Sequence, residues 1–179
     1  MEPIVFISSK SADYKYAETI YHYLMKNNIP VFFSQESLPR IGNSDYRKEI
    51  DKNLDNAYHM IVVTSSKENV MSNWVEAEWG FFINEKRSGK KTGNIITVVV
   101  GSLQSEDLPP SLRYYEVINW DESNLEKILK YVKTNNTTEA AGKGKQTVAE
   151  EYKVKAKEES DLKAIEKAKQ KKRKKLYKL

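Results

Sequence analysis

The residues of this chain best placed to do chemistry lie together in Ser72-Asn73-Trp74-Val75-Glu76-Ala77-Glu78-Trp79, where a carboxylate stands between two indole rings at the start of an expected helix. Trp74 and Glu78 are four apart and so share a helix face. An aromatic ring there can stack on a planar ligand or partly desolvate the acid. Because the helix follows an apolar strand, Glu78 falls near the carboxyl edge of a parallel sheet, where open α/β sheets bind ligands. Glu76 sits about 200° around the helix from Glu78, so the two cannot face one pocket. Trp79 and Phe82, three residues apart, suit a core-facing couple. The competing description is an acid on a solvated helix face beside core tryptophans, the commoner setting for a glutamate.

The elements that must position these residues alternate between strand and helix. Residues 4–8 (IVFIS) form a short apolar run suited to a strand buried on both faces. Residues 14–28 carry Tyr16, Ile20, Tyr23 and Leu24 at helical spacing. PVFF at 30–33 gives the second strand, and residues 34–44, with Pro39 and Gly42, read as a loop into a helix bearing Tyr46, Ile50 and Leu54. HMIVVTS at 59–65 is the third strand, 74–84 a helix and NIITVVVG at 94–101 the fourth strand. The segment 108–112 (LPPSL) is not expected to be helical inside. VINW at 117–120 is a short last strand, and Ser123 is expected to cap a helix over 124–133. Repeated βαβ units imply a five-stranded, flavodoxin-like parallel sheet with right-handed crossovers and helices on both faces.

Composition bounds the function. The 179 residues contain no cysteine and two histidines. Disulfides and thiolate chemistry are therefore excluded, and a cytoplasmic chain is expected. His22, in an amphipathic helix, and His59, at a strand entrance, read as structural, too few for a histidine-based metal site. The start Met1-Glu2-Pro3 lacks the features of a signal peptide, and no apolar run has the length of a membrane span. The net charge of +5 divides unevenly: residues 139–179 hold 14 Lys and Arg against 7 Asp and Glu, leaving 16 against 18 for residues 1–138. The expected organisation is thus a domain over 1–134, a polar linker over 135–146, and a Lys-rich helical or disordered tail over 147–179. Val148, Tyr152, Leu162, Ile165 and Leu176 do not sustain a heptad. The run KAKQKKRKKLYK at 167–178 can contact nucleic acid or an anionic membrane surface, or act as a solubilising end.

Several functions of this architecture are excluded by the strand ends. A receiver domain needs acids after the first and third strands; here those ends read Ser8-Ser9 and Thr64-Ser65-Ser66. Neither a GxGxxG turn nor a Walker A loop occurs.

In order, Val5-Phe6-Ile7-Ser8, the loop ending in Gly42, Ile61-Val62-Val63-Thr64-Ser65 and Ser72-x-Trp74-Val75-x-x-Glu78 resemble the Toll/interleukin-1 receptor (TIR) domain in its bacterial enzymatic branch, over residues 3–134. The resemblance implies cleavage of NAD⁺ at the nicotinamide–ribose bond, with Glu78 the essential residue and NAD⁺ a substrate, no other cofactor being implied. By the same resemblance, Ser8 and Ser9 donate hydrogen bonds to the nucleotide and Lys10 faces phosphate, unless Lys10 is a solvated loop lysine. Phe33 is an aromatic wall for a base or part of the core. Residues 35–42 match the loop that covers the family's pocket and contacts neighbouring domains. Ser34 stands where an acid often ends strand two, and Arg40, a candidate substrate contact, where some NAD⁺-cleaving members place an acid. Tyr46 replaces a bulky residue after the loop glycine, and Ser72 is expected to hydrogen-bond within the site. The resemblance also implies self-association or pairing with other TIR domains, a product sensed by an effector, and antiphage or stress signalling. Two alternatives stand: a noncatalytic TIR interaction module, and a nucleoside deoxyribosyltransferase-like enzyme with a glutamate nucleophile.

Overall fold

The computed structural model describes residues 4–37 and 43–134. Strands β1 (Val5–Ser9), β2 (Val31–Phe33), β3 (His59–Thr64), β4 (Ile95–Val99) and β5 (Glu116–Asn119) form a parallel sheet in the order β2-β1-β3-β4-β5. The expected flavodoxin-like architecture is present. Its helices are α1 (Tyr14–Lys26), α2 (Ser34–Ser37), α3 (Asn43–Asn56), α4 (Lys67–Val70), α5 (Asn73–Arg87), α6 (Pro110–Arg113) and α7 (Leu125–Thr134).

Strand alternation divides the core into two layers. Val5, Ile7, Ile61, Val63, Ile96 and Val98 pack with Ala17, Ile20 and Leu24 of α1 and Ile128 and Val132 of α7. Phe6, Met60, Val62, Ile95 and Val99 pack with Ile50 and Leu54 of α3 and Val75 and Phe82 of α5. Burial of each large apolar side chain contributes about 1.5–3 kcal/mol before entropy is counted. Ser8 lies two residues beyond Phe6, so it points to the α5 side. The alternation thus aims a hydroxyl, rather than a methyl, at the helix that carries Glu78.

Several local expectations are corrected. The first helix ends at Lys26, two residues early, because Asn28 adopts a left-handed φ of 61° and the Ile29 amide turns back to the Leu24 carbonyl at 3.0 Å. Part of the loop expected over 34–44 is helical: α2 follows β2 directly, and the Ser37 hydroxyl accepts from the Phe33 amide at 3.1 Å. The LPPSL segment does contain helix. Pro110 sits at the first position of α6, where its missing N–H and fixed φ cost nothing. Ser123 lies inside a 3-10 turn, Glu122–Asn124, that leads into α7 at Leu125; the Asp121 carboxylate caps that turn, accepting from the Ser123 amide at 2.8 Å. Arg40, the glycine of its loop, the linker and the Lys-rich tail lie outside the described residues. Among the described residues, no helix is long and apolar enough to cross a membrane.

Candidate active site at the carboxyl edge of the sheet

Helix α5 is anchored at its first turns by three contacts from different directions. The Trp79 indole N–H donates to the Val70 carbonyl at 2.9 Å, which ties α5 to α4. The Ser72 hydroxyl donates to the Asn69 carbonyl at 2.8 Å. From the sheet, the Ser8 hydroxyl donates to Glu78 Oε2. Glu78 is thereby fixed beside the end of β1, at the β1/β3 position where the strand order reverses and ligands of such sheets bind.

Glu78 is 7% exposed, which removes the solvated-helix description. Burial pushes its carboxyl up to about 7. The Ser8 hydroxyl and then the Trp74 side chain pull it back, and the negative charge of Asp51 pushes it further up. The carboxylate is therefore poised to change charge near neutrality. The hydroxyl that offsets this desolvation is that of Ser8, whereas the Ser72 hydroxyl is taken by the Asn69 carbonyl. Tyr14, whose ring meets Phe33 edge-on at 5.4 Å, is a further neighbour: burial, followed by the charges of Tyr46 and Glu78, raises its phenol above the usual range.

The remaining expected residues divide. Trp74, one turn before Glu78, is 42% exposed, with the Arg47 guanidinium 5.5 Å from its ring centroid. Ser9 has a buried Oγ without a hydrogen-bond partner. Lys10 is exposed, in the first turn after β1. Phe33 is core: fully buried with Ile20, Leu24 and the Tyr14 and Tyr21 rings, because the last residue of β2 faces α1. Ser72 serves the α4–α5 junction. Trp79 and Phe82 pack in the core as their spacing implied, and Glu76 has only intermediate burial.

Sequence reasoning missed Asp13. Its side chain is fully buried, and Oδ2 accepts from the Ser65 amide at 3.2 Å and from Asn69 Nδ2 at 2.9 Å. An acid just before an amphipathic helix reads as a solvated first-turn residue, and nothing local signals partners more than fifty positions away. Of the histidines, His59 is structural: fully buried, its Nδ1 accepts from the Asn94 amide at 2.9 Å. His22 is exposed and stands 3.9 Å from Glu18. With Glu36 these two bring three potential metal-ligand atoms within 4.8 Å of one another, on largely exposed side chains.

Comparison with known proteins agrees with this fold. A metazoan TIR-STING receptor from C. gigas, in complex with 2′,3′-cGAMP, superposes with a TM-score of 0.57 at 23% identity, over 73% of this chain and 39% of the receptor chain. A second structure of that receptor gives 0.56 at 23% identity, over 73% and 40%. The TIR domains of the activated Roq1 resistosome give 0.53 at 15% identity, over 72% of this chain and 98% of theirs. This chain thus spans about 40% of the length of the receptor chains and nearly all of the Roq1 domain. At these identities the likeness is one of fold. A search of curated proteins gave no match. The TIR domain model matches residues 5–129, well over half of the 179 residues, and the chain belongs to the TIR domain family.

Proposed function

We propose that this TIR domain cleaves NAD⁺ at the nicotinamide–ribose bond, with Glu78 as the catalytic residue. The observation that carries the reading is a buried carboxylate at the β1/β3 carboxyl edge, held by Ser8 and one helical turn from an exposed indole. Nicotinamide is a cationic leaving group and departs with the electrons of the glycosidic bond as a neutral base. No general acid is needed, unlike ordinary glycosidases, whose leaving alcohol must be protonated and which use two carboxyl groups. The developing oxocarbenium ion of the ribose is stabilised by one preorganised negative charge, an effect of several kcal/mol in a water-poor site. Ionised Glu78 supplies that charge, and Ser8 holds it in place. Trp74 offers its face to the nicotinamide or adenine ring, and Ser9, the last residue of β1, and Lys10, just beyond it, lie where the phosphates would be met.

Water reaching the oxocarbenium carbon gives ADP-ribose; an atom of the adenine or ribose gives a cyclic isomer; a foreign base gives a conjugate. The product serves as a signal in antiphage or stress responses in the cytoplasm, read by an effector, and activity depends on assembly with other TIR domains. The second reading, a noncatalytic interaction module, is favoured by one observation: Trp74 and Phe81 are both exposed and seven residues apart on α5, an outward apolar stripe. Incubation of the concentrated full-length chain with NAD⁺, with and without a crowding agent, separates the two. Nicotinamide release that disappears in Glu78→Ala supports the enzyme, and chromatography with mass determination identifies its product. Absence of release under every assembling condition favours the interaction module.

A further inference from the structure

The backbone that carries Glu78 is part of a closed frame, and the piece that closes it is Asp13. From β1, Ser8 reaches Glu78 directly. In the other direction the chain leaves β1, turns with the Asp13 amide donating to the Lys10 carbonyl at 2.9 Å, and places the Asp13 carboxylate against the β3–α4 turn. There Asn69 is the hub. Its Nδ2 donates to Asp13 Oδ2 at 2.9 Å and to Ser65 Oγ at 3.3 Å, its amide donates to Ser66 Oγ at 3.1 Å, and its carbonyl receives the Ser72 hydroxyl at 2.8 Å. Ser72 opens α5, its own carbonyl accepting from the Glu76 amide at 2.9 Å. The circuit runs Ser8, Glu78, α5, Ser72, Asn69, Asp13 and back to β1.

Two features set Asp13 apart from a solvated turn residue. It is fully buried, and its Oδ1 has no hydrogen-bond partner. A buried acid with one oxygen left unpartnered is costly to keep, because that oxygen has given up its water and gained nothing in return. Both donors that hold it converge on the other oxygen. What the frame uses is therefore an acceptor at one fixed point, which joins the exit of β1 to the α4 platform on which α5 sits. We infer that Asp13 is a positioning residue: acting through Asn69 and Ser72, it sets the place of α5 and hence of the Glu78 carboxylate relative to Ser8.

The kinetic part of the test rests on the function proposed above; a second part does not. Full-length wild type, Asp13→Ala, Asn69→Ala, the double variant and Asp13→Asn are compared after circular dichroism has established their folding. The first measurement is the ionisation midpoint of Glu78 by carboxyl ¹³C NMR, in the absence of NAD⁺. Asp51, whose charge acts on this group, and Tyr14, on which Glu78 acts, are unchanged in every variant. Both single alanine variants are expected to move the midpoint in the same sense by about half a pH unit or more. The double variant moves it no further, because both changes open the same circuit. Asp13→Asn, which keeps an acceptor for Ser65 and Asn69, returns it toward wild type. In nicotinamide release, the alanine variants lower kcat about 10-fold or more with KM within about twofold, as expected for a misplaced reacting group. Folded alanine variants with a wild-type Glu78 midpoint, additive effects, or an asparagine variant no better than alanine would overturn the inference. A wild-type chain inert toward NAD⁺ removes the proposed reaction and leaves the titration to decide the frame. Should Asp13→Ala not fold, Asn69→Ala and Asp13→Asn carry the same comparison.

Discussion

The two edges of the sheet bury polar groups in opposite ways. At the amino edge, around the start of β3 and β4, the buried group is His59, and burial pushes its pKa down to about 4, so it is neutral throughout the physiological range. A hydrogen bond with the Val132 backbone opposes this shift without cancelling it. The cations nearby are spent on closing turns. Lys91 Nζ donates to the Asp55 and Ala57 carbonyls at 2.5 and 2.7 Å, and Lys86 Nζ to the Thr92 and Gly93 carbonyls at 3.0 and 2.7 Å. At the carboxyl edge the buried groups are acids, Glu78 and Asp13, each with few donors. One edge is closed around a neutral ring, with its cations held by backbone carbonyls; the other keeps a carboxylate whose charge is decided near pH 7. A stable domain has no need of the second arrangement, and it is where function is to be sought.

Substitutions at each edge sharpen this contrast, beginning with the largest effect. A Cβ at Gly93 would meet the Tyr58 carbonyl oxygen at 1.7 Å, a clash with backbone that no rotamer relieves. Gly93→Ala is expected to cost about 3 kcal/mol or more in chemical denaturation, with whatever protein folds retaining an unaltered Glu78. At the carboxyl edge the sign reverses. Glu78 has a folded-state pKa raised to about 7 from 4.5, so folding is unpenalised below pH 4.5, loses stability as pH rises from 4.5 to 7, and stays penalised above. Glu78→Gln is therefore expected to stabilise the domain by about 1–3 kcal/mol at pH 8 and to make little difference at pH 4, as read from Tm at the two pH values. Destabilisation at pH 8 would break the comparison.

Smaller effects follow. Lys91→Met removes a donor to two carbonyls and is expected to cost about 1–2 kcal/mol, less than an ideal charged hydrogen bond because the ammonium is already partly desolvated. Ser8→Ala takes away the hydroxyl that favours ionised Glu78. The Glu78 midpoint should then move above 7 by about one pH unit, measurable by carboxyl NMR, with little change in Tm at pH 5, where Glu78 is protonated in both proteins.

The sequence made the sheet legible because its central strands are continuous apolar runs and the helices beside them have apolar faces, as Ile20 and Leu24 on α1 and Ile50 and Leu54 on α3 illustrate. It also made Glu78 legible, through its spacing from Trp74 and the strand before it. What it concealed were choices settled by distant partners. Phe33 could line a pocket or the core until α1 placed Tyr14 and Tyr21 against it. Ser72 and Ser8 are both hydroxyls near the site, and only strand parity aims Ser8 at Glu78 while the α4–α5 turn claims Ser72. Asp13 finds its donors 52 and 56 residues away. Short helices were equally hidden: Ser34–Ser37 has no apolar face, and Pro110 resembles a breaker until it occupies a first turn.

The central claim is that the carboxylate of Glu78, in its charged form, drives cleavage of NAD⁺. Its most direct test is the rate of nicotinamide release by the assembled full-length chain from pH 5 to 9, beside Glu78→Ala. The expected rate rises with pH, is half-maximal near the Glu78 pKa of about 7, and is lost in the variant. A rate that survives in Glu78→Ala, or that falls as pH rises through 7, would contradict it.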